Sequence, residues 1–390
     1  MPQPTHAATA APTESQRVPR QLPARRPERS TPPAPRYDCE ADVLEGLEDF
    51  ARDELSTRFG GRVRLGAERP GALRFSYTGD LRQLAGLRSV LAVYLVQWLD
   101  IPRPKALLGN QQFGLIAGLI ADAIGLAPPG AFASLRLSAA GQSSAVLMRF
   151  KQQLADRFGL AIATDEADLL IRLRHAADGQ GWEVLVRLTP RPLATRAWRV
   201  CNMPGALNAT LAHALARLTE PDPRDTLLNL ACGSGTLLIE WLALCRARQA
   251  IGCDTDAAAL ACARRNLAAA GLERLVRVEQ WDATALPLAS ASIDVIVGDL
   301  PFGQLVGSHR ENEVLYPRML AEAARVARPG ARMALLTHEV RLLEQVAARC
   351  AAHWAVREVI RVRSGGMTPR AVLFERLAAT PAPPGHGGTA

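Results

Sequence analysis

The spacing of apolar residues changes character several times along this 390-residue chain. Residues 1–36, rich in Pro, Ala, Thr and Arg, show no hydrophobic period and are expected to be disordered, because such a composition cannot bury a core. From Tyr37 onward Leu44, Leu47, Phe50-Ala51 and Leu55 recur at helical spacing behind a short entry strand. Residues 62–65 and 72–77 read as a strand pair around Arg69-Pro70-Gly71. A helix is expected from Gly79-Asp80 through Leu87, then a buried strand over 90–98. This β-α-β-β-α-β order defines a ferredoxin-like unit over 37–100. A second α+β unit, 101–189, carries helices at 115–124 and 144–158 and strands at 133–137, 167–174 and 182–188.

After a basic stretch at 190–205 the period alternates regularly. Helices are expected at 207–218, 235–247, 257–270, 313–327 and 339–350. Between them lie apolar strands at 226–230, 249–253, 275–280, 293–298 and 331–337. Apolar strands alternating with helices imply an α/β fold, doubly wound, with a mostly parallel sheet covered on both faces. Residues 356–362 and 371–374 read as a closing hairpin, so one terminal strand is expected to be antiparallel. This last domain spans 206–377, and 378–390 is expected to be a disordered tail.

Composition narrows the partners. A net charge of +8 suits an acidic partner such as nucleic acid. Arg191, Arg196 and Arg199 beside Trp198, in a segment without acids, have the composition of a phosphate-binding and base-stacking surface. Seven cysteines without a C-x-x-C pair are expected to be reduced core residues in a reducing, cytoplasmic setting. No run of eighteen apolar residues occurs, so no membrane span is expected, and the histidines show no metal-ligand spacing. The first 36 residues lack an apolar signal core; a solvated tail and an organelle transit peptide both fit them.

Two motifs carry the chemistry. Ala231-Cys232-Gly233-Ser234-Gly235 turns from strand to helix, where missing Cβ atoms let backbone approach a ligand. It is neither the G-x-G-x-x-G fingerprint, since Leu238 fills the last position, nor a P-loop. Asp254, closing the next strand, is placed to accept both hydroxyls of a ribose, and Asp256 to cap the helix after it. Asp282 is placed to take an adenine amino group while Ala283 packs on the ring. The set suits a methyl-donor nucleoside better than NAD. The second motif, Asp299-Leu300-Pro301-Phe302-Gly303, puts a carboxylate, a proline and an aromatic ring at the mouth of a buried strand, an arrangement that can hold a flat, amine-bearing base.

These residues resemble the Rossmann-like S-adenosylmethionine-dependent methyltransferases, and most of all the THUMP-domain RNA guanine methyltransferases that form N2-methylguanosine. The resemblance lies in Asp299 to Gly303, in Cys232 through Glu240 and in Pro204 through Ala212. It implies a ferredoxin-like domain, a THUMP RNA-binding domain and a methyltransferase domain in that order. It also implies S-adenosylmethionine as cofactor and a tRNA guanine amine as substrate, with the tRNA acceptor region as contact and the enzyme as a monomer. Asp299 and the carbonyls near Leu300-Pro301 would hold the amine and Phe302 would stack on the flipped base. Asn229 stands where the family's first strand ends in an acid, which implies a weaker contact with the cofactor's amino-acid end. A 23S rRNA guanine methyltransferase and a non-catalytic RNA-binding scaffold remain the alternatives.

Overall fold

The computed structural model describes residues 35–177, 179–301 and 308–378. Phe302, Gly303 and the two expected tails lie outside them, except for residue 35, Arg36, which opens the first strand, and residue 378. The chain builds two sheets.

The first sheet uses β1 (Arg36–Asp42), α1 (Glu48–Phe59), β2 (Val63–Arg69), β3 (Ala72–Thr78) and β4 (Ala92–Leu99). It continues with α2 (Asn110–Ile124), β5 (Ser134–Ala139), α3 (Ala145–Phe158), β6 (Ala161–Ile162), β7 (Leu169–His175) and β8 (Trp182–Arg187). Its order is β2-β3-β1-β4-β8-β7-β5-β6. The first four strands follow ferredoxin-like order, but the second helix expected there is a 3-10 turn, Leu81–Gly86, capped by Asp80. Six residues between two glycines leave no room for two α-turns. The sheet does not break near residue 100. β4 pairs antiparallel with β8 from Tyr94↔Arg187 to Leu99↔Trp182, so the two front units share one sheet. β8 explains this centrality, since all six of its residues are buried.

The second sheet uses α4 (Ala209–Leu218), β9 (Thr226–Leu230), α5 (Thr236–Leu242), β10 (Gln249–Asp254), α6 (Ala257–Ala269) and β11 (Val276–Gln280). It closes with β12 (Ile293–Asp299), α7 (His309–Val326), β13 (Ala327–Thr337), α8 (Val340–Arg349), β14 (Trp354–Arg361) and β15 (Arg370–Arg376). The order β11-β10-β9-β12-β13-β15-β14 is doubly wound, with β15 antiparallel to both neighbours. The strand order reverses between β9 and β12, and a crevice opens beyond their carboxyl ends. Asn208 caps α4 and Asp256 caps α6 through backbone N–H groups. α5 stops five residues early, as the chain turns back for Arg248 N–H to reach the Asp225 carbonyl, 2.9 Å.

The two sheets share one core: Leu84 and Leu87 from the front pack in the same apolar cluster as Leu215 and Trp241 from the back. Cysteine chemistry departs from expectation at one pair. Cys201 and Cys262 form a disulfide, while Cys39, Cys232, Cys245, Cys253 and Cys350 are free. The partners stand 61 residues apart, so spacing carried no sign of the pairing, and the bond ties the basic segment to α6.

Candidate active site

A cavity of about 480 Å³ lies over the crevice at the ends of β9, β10 and β12. The strand-to-helix turn forms one wall through Ala231, Cys232, Gly233 and Ser234. Its backbone is unusual: Ala231 adopts φ 46° and Gly233 φ 53°. Such a left-handed conformation is uncommon for a residue with a side chain. Gly235 is not on the wall; with φ 79° it begins α5, where a Cβ would stand 3.3 Å from that of Ala263. Its glycine therefore serves close packing of α5 on α6.

Asp254 lines the same cavity and holds the turn. Its Oδ2 accepts from Gly233 N–H at 2.9 Å and its Oδ1 from Asp256 N–H at 3.0 Å. Each oxygen keeps a lone pair for a further donor. Asp282 and Ala283 form the neighbouring wall; Asp282 accepts from Thr284 N–H, and that bond holds its carboxyl below the usual range. Asn229 is elsewhere: it is fully buried, and its Nδ2 donates to the Leu230 and Val297 carbonyls at 3.1 Å each. Its Oδ1 is buried with no partner among the described residues, and Asn229 is not among the residues lining the cavity.

Asp299, Leu300 and Pro301 line the same cavity from the end of β12, the strand paired beside β9. Asp299 Oδ1 is buried with no partner among the described residues, and burial pushes the carboxyl up to about 7. Leu300 is buried in the core, and its N–H is anchored to the Leu336 carbonyl. The Pro301 carbonyl accepts twice, from Asn312 Nδ2 and from the Tyr316 hydroxyl, both at 2.8 Å. Burial raises the Tyr316 pKa, which keeps this donor protonated, and Thr337 Oγ1 lies 3.1 Å behind it. With both lone pairs used, Pro301's carbonyl is not the free acceptor expected of this loop.

The basic segment also differs from expectation. Arg196 is buried and ion-paired to Glu240 at 2.9 Å, with further bonds to the Leu193 and Arg88 carbonyls. Arg199 donates to the Leu207 carbonyl and to Thr236 Oγ1 at the start of α5. Trp198 is half-buried against the shared core. As RNA-contacting residues Arg196, Trp198 and Arg199 are therefore corrected: their polar and stacking faces are turned to the protein. Arg191 alone is exposed, beside a polar cleft with Arg136 and Arg187. The segment is also no free linker. Asn266 on α6 bonds to both N–H and carbonyl of Cys201 and to the Ser234 carbonyl. Residues 203–207 complete the cavity wall.

Sequence reading missed Trp281, Glu311, Asn312, Leu315 and Met319 on this wall. The last four belong to the first three turns of α7, whose start was expected at 313 and lies at His309, behind a Ser308 cap. Ser308 followed three residues later by Glu311 was the available signal. Among the described residues no group of His, Cys, Asp and Glu could hold a metal, and no helix is long and apolar enough to cross a membrane.

Comparisons with known proteins converge on this architecture. Residues 196–370 match the UPF0020 family model, described as RMKL-like, methyltransferase domain. The tRNA (guanine(6)-N(2))-methyltransferase THUMP3 of Mus musculus is 33% identical over 187 residues, 45% of this chain and 37% of that protein. The chain thus spans little more than a third of the length of that relative. The tRNA (guanine(6)-N2)-methyltransferase of Thermus thermophilus is 30% identical over 348 residues, 87% of this chain and 99% of that one. The crystal structure of TrmN from Thermus thermophilus superposes with a TM-score of 0.66 at 26% identity, covering 87% of this chain and 99% of that one. The front sheet, the crevice and the Asp299 loop thus stand in a chain that belongs to the THUMP-related, S-adenosylmethionine-dependent RNA (guanine-N2)-methyltransferase family.

Proposed function

We propose that the protein transfers a methyl group from S-adenosylmethionine to the exocyclic amine of a guanine in tRNA, forming N2-methylguanosine. The target would be guanine 6, the nucleotide named for the mouse and Thermus relatives, which points to the acceptor region of the tRNA. The front units, read as ferredoxin-like over 37–100 and THUMP over 101–189, would measure the RNA, with Arg191 as one contact. The reaction is placed in the cytoplasm as part of this proposal.

One observation carries the reading. A carboxylate oxygen buried without a partner among the described residues, Asp299 Oδ1, stands on a cavity that a glycine turn and a strand-terminal acid also line. The residues present fit the cofactor. Asp254 has lone pairs left for the two ribose hydroxyls, Asp282 and Ala283 can take the adenine, and the 231–234 turn lets backbone approach. When bound, the cofactor supplies an electrophilic methyl group on a sulfonium.

The chain's own residues do the rest. The guanine amine is a weak nucleophile because its lone pair spreads into the ring. Asp299 accepts one of its N–H groups and the Leu300 carbonyl the other, which turns the lone pair toward the methyl carbon. The cofactor held by these residues would supply the methyl group, and Asp299 would take up the proton that the amine gives up. A pKa near the working pH suits that transfer. Phe302, outside the described residues, would stack on the base. The scaffold alternative rested on Asn229, whose Nδ2 donates within the sheet to the Leu230 and Val297 carbonyls; measured binding of S-adenosylmethionine separates it from the enzyme. The test is incubation with labelled cofactor and tRNA lacking the modification, followed by nucleoside analysis and position mapping. Label appearing on a nucleoside other than N2-methylguanosine would overturn the proposal.

A further inference from the structure

The target amine is only part of the guanine edge. Next to it guanine carries a ring N1–H donor, where adenine carries an N1 acceptor beside its own amine. A site that distinguishes the two needs an acceptor facing N1 that cannot turn into a donor.

Asn312 meets that requirement. It is 1% exposed, lines the cavity with Asp299 and Pro301, and sits in the first turn of α7. An amide can ordinarily swap its two ends, but here the choice is forced. The Pro301 carbonyl can only accept, so the end 2.8 Å from it must be Nδ2. Tyr316, donating to the same carbonyl from 2.8 Å, fixes the position of that carbonyl independently. The other end, Oδ1, is thereby held as an acceptor, and it is buried with no partner among the described residues. Asp299 Oδ1 shares this condition on the same cavity. Two buried, unpaired acceptors beside one loop match the adjacent N2–H and N1–H donors of guanine. A buried acceptor without a donor is costly, which is what makes such a pair selective.

We propose that Asn312 is the residue that selects guanine, its Oδ1 accepting the ring N1–H of the target base while its Nδ2 stays on the Pro301 carbonyl. The inference rests on the guanine reading above and adds to it the means of base recognition. The same amide couples recognition to catalysis, since it braces the loop that carries Asp299.

A base analogue separates this role from a bracing role alone. 2-Aminopurine keeps the exocyclic amine but has an acceptor, not a donor, at ring position 1. tRNA carrying 2-aminopurine at the target nucleotide is compared with the guanine form by kcat/KM. Wild type should prefer guanine by about a hundredfold, as expected when one buried acceptor is left facing another. Asn312→Ala should lower both values and cut the preference to about tenfold or less, because the selecting acceptor is gone. Tyr316→Phe, which removes the other donor to Pro301, should slow both substrates and keep the wild-type preference. Equal use of both bases by wild type overturns the inference without any variant, so a poorly folded Asn312→Ala does not protect it. An unchanged preference in Asn312→Ala overturns it as well. No transfer to the guanine tRNA by wild type instead sinks the functional reading, and the inference with it.

Discussion

Two carboxylates of the same domain, Glu240 and Asp299, are both withdrawn from water and have opposite fates. Glu240, on α5, lies where the front units, the basic segment and the methyltransferase domain meet. Arg88 reaches it from the front with two bonds, at 3.0 and 2.9 Å, and Arg196 from the segment at 2.9 Å. His213 Nδ1 stands 3.3 Å from Oε2. Burial alone would raise the Glu240 pKa; contact with His213 and the charges of Arg196 and Arg88 outweigh it and bring the group down to about 2. Asp299 has no such company among the described residues, and burial carries it up to about 7. A buried charge surrounded by partners is a joint. One left without partners is waiting for a ligand.

The comparison is broken most forcefully at Asp299. Asp299→Ala should reduce methyl transfer at least thousandfold (about 4 kcal/mol in the barrier), with cofactor affinity changed less than about threefold. Single-turnover rates and calorimetric titration of S-adenosylmethionine read the two effects separately. Weak cofactor binding with an intact chemical step would place Asp299 on the wrong ligand.

Glu240 should answer in stability instead. Glu240→Gln leaves Arg88 and Arg196 facing each other without a counter-charge, and should destabilise the fold by about 3 kcal/mol, as seen when one partner of a buried pair is removed. Urea unfolding measures it. Wild type should show the matching acid limb: a depressed pKa means stability present above the ordinary glutamate range and lost as pH falls through about 2.

For Asp299 the sign reverses. The folded protein holds the proton more tightly than the unfolded chain, so this group's contribution to the free protein falls as pH rises from about 4 to about 7. Asp299→Asn should therefore be more stable than wild type at pH 8, and lose the advantage toward pH 4. Catalysis should run the other way, falling on the acid side as the carboxylate takes up a proton. A bound sulfonium favours the charged form, so that limb should lie below the free protein's value. Parallel pH trends in stability and rate would show that different groups control them.

The sequence made one side of this comparison readable and hid the other. Asp299 and the glycine turn are consecutive runs at strand ends, where strand period, turn chemistry and residue type coincide, and they line one cavity. Glu240 reads only as another helix residue, because its partners stand 152 and 44 positions away. The same blindness explains the Cys201–Cys262 bond, the continuous front sheet through β4 and β8, and the Asn229 Nδ2 bond to Val297 across the sheet. Asn312 was missed for a more local reason: nine residues without apolar period separate Asp299 from α7, so the helix was begun four residues too late, just past Asn312. Local order is written in neighbouring residues, whereas a charge's role is set by what the fold brings to it.

The smallest expected effect tests that last point within a single segment. Arg191 and Arg196 are five residues apart, equally charged and indistinguishable by composition. Arg196→Ala would strip Glu240 of its best-buried arginine partner and should cost about 3 kcal/mol of stability. Arg191→Ala removes an exposed guanidinium and should change stability by less than about 0.5 kcal/mol. If Arg191 touches a phosphate, its loss should weaken tRNA binding only a few-fold and lower the salt dependence by about one charge. Anisotropy titrations at several salt concentrations resolve a slope change of that size. An unchanged slope would remove Arg191 from the RNA contact, and the basic character of this segment would then serve the inside of the protein alone.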